Sequence, residues 1–349
     1  MLKTKKLIIL IGIAIISCLV LSLTILPACE PEAGEEGEEE VVEESTTEEE
    51  TEETSEEVEE TTENGDVEEI ETEVIYEITF SSEGSPSSIY ACMPDGSDRK
   101  KIYNTFDDHH PSWSNDHTKI VFSSNENDDE DYDIFIVNLI DNKVTKVVDR
   151  AGFDTLPAFD PLDENIVFCG EVGEPAESGP NYEIFTVNLD GSNLKQLTDN
   201  PLPDLYPHFS PDGETIIYTF GPFDVSQLFT MDLEGNNSAP IANGGGWRDY
   251  DGTYSPDGKN IVFVSDRGGD DDIWVMPADG SSQAVNLTNS PGYDSYPDYS
   301  PDGSMITFTS ERDETEEYMA DVFVMNSNGE NQTNITPDLT GTYQGSPSW

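Results

Sequence analysis

The sequence predicts an all-β fold, a six-bladed β-propeller whose last strand returns to complete the first blade. Three observations carry that expectation. A proline or small residue stands two positions before an aromatic at Pro111-Ser112-Trp113, Pro157-Ala158-Phe159, Pro207-His208-Phe209, Gly252-Thr253-Tyr254, Pro297-Asp298-Tyr299 and Pro347-Ser348-Trp349. Subtracting the positions of the aromatics gives spacings of 46, 50, 45, 45 and 50 residues, the length of a four-stranded blade copied in tandem. Lastly, the first copy begins without this element and the last copy of it ends the chain, so the two halves of one blade lie at opposite ends.

One unit, residues 252–296, shows the grammar. Thr253-Tyr254-Ser255 is a short innermost strand closed by Ser255-Pro256-Asp257-Gly258, where proline presets φ and glycine accepts a positive φ. Asn260-Ile261-Val262-Phe263-Val264 is a second strand of β-branched and aromatic residues, and Ile273-Trp274-Val275-Met276 a third. The turn at Asp279-Gly280 leads to an outer strand over residues 284–287. Ser210-Pro211-Asp212-Gly213 and Ser300-Pro301-Asp302-Gly303 repeat the first turn, and Asp95-Gly96, Asp190-Gly191, Glu234-Gly235 and Asn328-Gly329 the second. At the start, Tyr76-Glu77-Ile78-Thr79-Phe80 matches a second strand and Ile89-Tyr90-Ala91-Cys92 a third; the missing first strand is Pro347-Ser348-Trp349. Pairing the ends removes an open sheet edge. Cys92 and Cys169 stand where sister repeats place Met276 and Val264, and are expected as buried free thiols.

This repeated set resembles the WD40-like repeats of TolB-type β-propellers over essentially all of residues 74–349. The resemblance implies a six-bladed disc that docks proteins or peptides on one face. It departs from TolB in lacking that protein's N-terminal α/β domain, so no role in the Tol system and no TolB contact residue is carried over.

The rest of the chain divides into two segments. In residues 1–28, Lys3, Lys5 and Lys6 precede an apolar run over 7–26, which reads as a lipoprotein signal peptide or a membrane anchor. Leu26-Pro27-Ala28-Cys29 resembles a lipobox, with Cys29 as the lipid attachment site. Cys18 fits the same pattern, but cleavage there leaves residues 19–26 as exposed apolar sequence. Either signal or anchor puts the remainder outside the cytoplasmic membrane, in the periplasm or on the cell surface. Residues 29–73 form an acidic tether: positions 30–73 hold 24 acidic and no basic side chains, a composition that buries too little to order itself.

Residues 74–349 hold 50 acidic against 12 basic side chains, within a whole-chain net charge of −59. Such a charge argues against nucleic acid as a partner and limits membrane contact to the lipid anchor. It fits a cationic protein or peptide partner, divalent ions, or adaptation to salt, with the chain a monomer.

Antiparallel order places the uniform Pro-Asp-Gly and Asp-Gly turns on one face. The variable second-to-third loops (83–88, 125–133, 171–182, 221–227, 266–272 and 311–320) and the blade connections lie on the other, where binding is expected. Three residues before the Pro/Gly anchor positions stand Asp108, Asp154, Asp204, Asp249 and Asp294, with Gln344 in the sixth place. These either shape the turn into each innermost strand by accepting backbone N–H bonds, or form an acidic collar around the channel mouth that binds a cation or basic peptide. The two roles are compatible. Asp128, Asp129, Asp131 and Asp133 offer hard oxygen ligands that could hold Ca²⁺, but they do not match an EF-hand loop, and such an acidic run reads first as a solvated loop. Trp247 and Arg248 follow a triple glycine and are either ligand contacts or packed on their own blade.

For catalysis the four histidines form no zinc motif and no Gly-x-Ser-x-Gly elbow exists. The expected function is therefore a tethered, extracytoplasmic binding or scaffold propeller. The alternative is a divalent-metal-dependent lactonase, hydrolase or lyase acting on sugars, with His110 and His208 near its channel.

Overall fold

The computed structural model describes residues 77–83, 86–103, 106–125, 131–176, 179–241, 246–312, 319–339 and 342–349. The leader, Cys29 and the acidic tether lie outside the described residues, as do Asp128 and Asp129. Six four-stranded antiparallel sheets follow one another around a ring. Blade 1 combines β1 (Ile78–Ser82), β2 (Ser88–Cys92) and β3 (Lys100–Tyr103) with the last strand, β24 (Gln344–Ser348). The innermost strands of blades 2 to 6 are β4 (Asp107–Trp113), β8 (Asp154–Phe159), β12 (Asp204–Phe209), β16 (Asp249–Tyr254) and β20 (Asp294–Tyr299).

The turns explain why these segments form hairpins. In blades 2, 4, 5 and 6 a serine opens the first turn and its hydroxyl donates to the aspartate two residues on, at 2.6–2.8 Å. The same hydroxyl accepts the backbone N–H five residues on, as Thr215 donates to Ser210 at 3.0 Å. Blade 3 reaches this geometry with Asp160, whose carboxylate accepts Glu164 N–H and the Asn165 amide. Such side-chain caps satisfy turn N–H groups locally.

Packing then joins blades, because the core lies in the seams. Each second strand contributes one buried aromatic: Phe80, Phe122, Phe168, Tyr218, Phe263 and Phe308. Val121, Ile134 and Val148 of blade 2 meet Phe159, Ile166 and Phe168 of blade 3 in one cluster. Trp113, Phe159, Tyr299 and Trp349 are buried, while Phe209 and Tyr254 are partly buried. Both thiols are free and buried. Cys92 joins Ile78, Phe80, Val322 and Trp349 in the seam that closes the ring.

Two departures from the sequence reading are physical. The span 171–182 was expected as a loop, but it extends the sheet: β9 (Asn165–Ala176) and β10 (Gly179–Asn188) pair in register from Asn188↔Asn165 to Asn181↔Val172 and on to Gly179↔Ala176. The outer strands of blades 3 to 6 are only two residues long, such as β19 (Val285–Asn286), shorter than the span expected. Short edges offer little template for pairing with another chain.

Closure is observed directly. β24 pairs antiparallel with β1 through Thr79↔Ser348, Ser81↔Gly345 and Ser82↔Gln344. The Ser81 hydroxyl donates to Gly345 C=O at 3.0 Å, and Trp349 N–H donates to Asp298 of blade 6 at 3.1 Å. Removing residues 345–349 deletes these bonds and the buried Trp349 ring, a loss of several kcal/mol (about 2–3 for the ring and about 1 per hydrogen bond). A thermal melt of the truncated chain should fall by roughly 10 °C or more; an unchanged melt would show that the ring does not depend on this strand.

Candidate functional site

Each innermost strand carries one irregularity at the same place. His110, Leu156, Tyr206, Asp251, Tyr296 and Ser346 all have positive φ, between 49° and 54°. Each directly precedes the proline, or in blade 5 the glycine, of the repeated element. The strand register shifts at the same points, between His109 and Ser112, Thr155 and Ala158, Leu205 and His208, Tyr250 and Thr253, and Ser295 and Asp298. Six non-glycine residues in the left-handed region cost roughly 1 kcal/mol or more apiece, and proline suits a bulge because it has no N–H to place in the ladder.

The bulges face the axis. His110, Leu156, Tyr206, Asp251, Tyr296 and Ser346 line the central channel, together with Ser112, His208, Asp298 and Ser348 two residues further along their strands. The cavity is about 460 Å³, counting the part open to solvent. Its wall, among the described residues, contains no lysine or arginine. Tyr206 and Tyr296 lie 6.1 Å apart between ring centroids, and Tyr296 lies 6.1 Å from His110. Nδ1 of His110 is 2.9 Å from the Thr155 hydroxyl.

Burial sets the charge state of this wall. It pushes the Asp251 carboxyl up to about 8, with neighbouring Asp298 adding to the effect, although Asp251 accepts Tyr296 N–H at 2.9 Å. Asp298 is pushed up to about 6 by the same cause. Burial also drives His110 down to about 3 and His208 to about 4. At neutral pH both imidazoles are uncharged and Asp251 holds its proton.

The five repeated aspartates occupy different surroundings. Asp108, Asp154, Asp204, Asp249 and Asp294 are at most 1% exposed, and Gln344 is fully buried. Asp249 accepts from Arg267 at 2.6 Å and Asp294 from Arg312 at 2.8 Å. Asp154 pairs with Arg150, Asp204 with the Asn200 amide at 2.8 Å, and Asp108 with the Ser124 hydroxyl at 2.6 Å. Side chains are thus among the partners of all five. Their own backbones bridge the seams: Asp154, Asp249, Asp294 and Gln344 donate N–H to the preceding blade's loop, at Tyr132, Ser226, Asp271 and Ala320.

Trp247 is 45% exposed. Arg248 is buried, paired with Asp271 at 2.5 Å, and its guanidinium lies 4.3 Å from the Phe223 ring centre in the neighbouring blade. Arg248 is thus a clamp between blades, and Trp247 projects from it. Asp131 is half-buried and Asp133 is buried against Lys146 at 2.8 Å, so Asp133 is held in an ion pair within its blade. Among the described residues no group of three or more His, Cys, Asp or Glu is placed to hold a metal ion.

The structure brings together His110 and His208, and adds Tyr206, Asp251, Tyr296 and Asp298, which sequence reasoning passed over. The signal was present. The position before each Pro/Gly anchor reads His, Leu, Tyr, Asp, Tyr, Ser, varied where the anchor itself is uniform.

The closed ring of six sheets and the channel walled by one left-handed residue from each define a six-bladed β-propeller with an axial cavity. The family described as TolB beta propeller domain matches residues 174–349, half of the chain, and this chain belongs to that family. Among solved structures it is similar to TolB from Acinetobacter baumannii, with TM-score 0.67 and 20% identity over 78% of this chain. The chain spans 66% of that protein's length. A putative TolB from Agrobacterium tumefaciens matches with TM-score 0.59 and 23% identity, over 77% of this chain and 91% of that one. An oligogalacturonate lyase from Vibrio parahaemolyticus shares the fold at TM-score 0.52 and 15% identity, over 73% of each chain. No curated protein matches the chain.

Two predictions follow from these surroundings. Arg312→Met keeps most of the side-chain volume but strands the buried Asp294 carboxylate, and should cost about 3–5 kcal/mol in denaturant unfolding. Adding Asp294→Asn should recover most of that loss; no recovery would mean the pair is not the source. The second concerns pH. A carboxyl raised in the folded state contributes stability that is complete below its unfolded value, near 4, and is lost as pH rises toward the folded value. Asp251 therefore destabilises the fold progressively up to about pH 8, while the depressed histidines oppose folding only below about pH 6.5. Between about pH 6.5 and 8.5 the melting temperature should fall as pH rises, and Asp251→Asn should flatten that slope; an equal slope in both proteins would contradict the assignment.

Proposed function

We propose that this chain is a binding module held outside the cytoplasmic membrane by a lipid on Cys29, and that it acts as a monomer. Its partner is a protein or peptide, cationic where it touches the propeller, seated on the loop face over the mouth of the central channel. The observation that carries this reading is the channel wall. Six strained positions, one per blade, present five kinds of side chain to a common axis, which supports recognition of one ligand rather than uniform packing. The acidic composition of residues 74–349 favours encounter with a cationic partner. Trp247, exposed above a rigid Arg248 clamp, offers an aromatic contact on the same face. Residues 29–73 provide reach from the membrane in this reading.

Capture of envelope proteins on the immobilised full-length chain tests it. Tyr296→Ala and Trp247→Ala should each weaken capture of the same partner by about tenfold. Asp257→Asn, in a turn on the opposite face, should leave it unchanged. Equal loss in all three variants, or capture that persists after Tyr296→Ala, would place the partner elsewhere.

A further inference from the structure

We propose that the channel takes the ammonium group of a lysine side chain, held between the carboxyls of Asp251 and Asp298 and the rings of Tyr206 and Tyr296. The inference rests on the peptide-binding reading above and names the group that enters. Four features of the channel point to it.

The first is the lining. Two carboxyls from adjacent blades meet two tyrosine rings in one cavity, and among the described residues no basic side chain lines it to compensate them. Arg150, Arg248, Arg267 and Arg312 are each committed to an aspartate outside the channel lining. Carboxylates beside aromatic faces bind ammonium groups through Coulomb attraction and the ring quadrupole.

The second is how the carboxyls are held. Oδ2 of Asp251 accepts Tyr296 N–H at 2.9 Å, and Oδ2 of Asp298 accepts Trp349 N–H at 3.1 Å. The Ser348 hydroxyl also touches Asp298. Backbone donors thus orient both carboxyls, with Tyr299 N–H also on Asp298, and each carboxylate has further lone pairs with which to accept from a ligand. Acceptors on two blades suit a compact group with three rotatable donors. A guanidinium fork favours two oxygens of one carboxylate.

The third is shape. Asp251 sits two residues inside the strand from buried Asp249, and Asp298 four residues inside from Asp294. At about 3.3 Å per residue these carboxyls lie roughly 7–13 Å along the strand from its start. A slender aliphatic stem with a charged tip spans that depth, with its methylenes against Leu156 and the tyrosine rings.

The fourth is proton linkage. Asp251 is protonated at neutral pH, and an ammonium beside it favours the carboxylate, so binding releases the Asp251 proton to solvent while the ligand keeps its own. The groups facing Asp251 do not reverse this. Asp298 shifts in the same direction, His110 and His208 stay neutral, and Tyr206, Tyr250 and Tyr296 are pushed well above their ordinary values. Affinity should therefore rise with pH.

The test is calorimetric titration of the full chain, at physiological salt, with Nα-acetyl-lysine-N-methylamide and with its Nε-acetylated analogue. The free amine should bind at least about tenfold more tightly than the acetylated form. Its affinity should rise about threefold or more between about pH 6.5 and 8.5. Asp298→Asn should weaken the amine about tenfold, and Asp251→Asn should do the same and abolish the pH dependence. Asn at 251 keeps a carbonyl for Tyr296 N–H; if that variant does not fold, Asp298→Asn and the wild-type pH profile decide the matter. Asp257→Asn removes an equal charge from the turn face and should change nothing. Equal binding of the two probes, or equal weakening by Asp257→Asn, would overturn the ammonium assignment and leave the binding-module reading standing. Loss of protein capture in Tyr296→Ala with lysine binding absent in the wild type would also overturn it, since the partner would then use the channel without an amine.

Discussion

Because the apolar core lies between blades rather than within them, no blade can bury its faces alone, and the disc depends on closing the ring. The pairing of Gly345 and Ser348 with Ser81 and Thr79 supplies that closure. It completes the seam in which Trp349 packs with Ile78, Phe80 and Val322. A sheet repeated around an axis has two dangling edges until its ends meet. Here the chain's own last strand covers the inner edge of blade 1 and so completes the ring.

The buried interior of the blades holds charge as well as apolar surface. Three of the five repeated aspartates are paired with arginines, and those guanidiniums also stack on aromatics: Arg267 on Phe263 and Trp274, Arg312 on Phe308 and Phe323, Arg150 on Phe185. Blade 4 departs from this arrangement. Where blades 5 and 6 carry Arg267 and Arg312 after the second strand, it carries Pro222, and Asp204 relies on Asn200 with buried Glu183 nearby. Burial pushes the Asp204 carboxyl up to about 7, and Glu183 adds to the rise. The same repeat position is thus an ion pair in some blades and a neutralised acid in another, depending on whether a cation is within reach.

The channel follows the opposite logic. Its carboxyls have no arginine partner, its histidines are neutral, and its backbone carries six left-handed residues that ordinary sheet packing would avoid. Strain and uncompensated acid at one place cost stability that the seams must offset. The contrast between aspartates paired with arginine in three blades and channel carboxyls with no basic neighbour in the lining distinguishes architecture from site in this molecule.

The period of the anchors, the turn chemistry and the split blade were legible in the sequence because each depends on local rules: strand alternation, the φ demands of Pro-Asp-Gly turns, and the length of one blade. They determined the fold, the blade count and the closure. The role of the aspartates was not legible. In a regular strand, residues two and four apart share a face, so Asp108, His110 and Ser112 would point together toward the channel. The bulge at His110 breaks that alternation, leaving Asp108 in the seam while His110 and Ser112 line the axis. Likewise, nothing in the spacing of Glu171 and Tyr182 announced that their loop would continue as paired strand. Only the tertiary structure decided which acids pair with arginine and which line the channel, because pairing depends on how each blade folds back to bring Arg267 to Asp249 and Arg312 to Asp294, while neighbouring blades supply the burial.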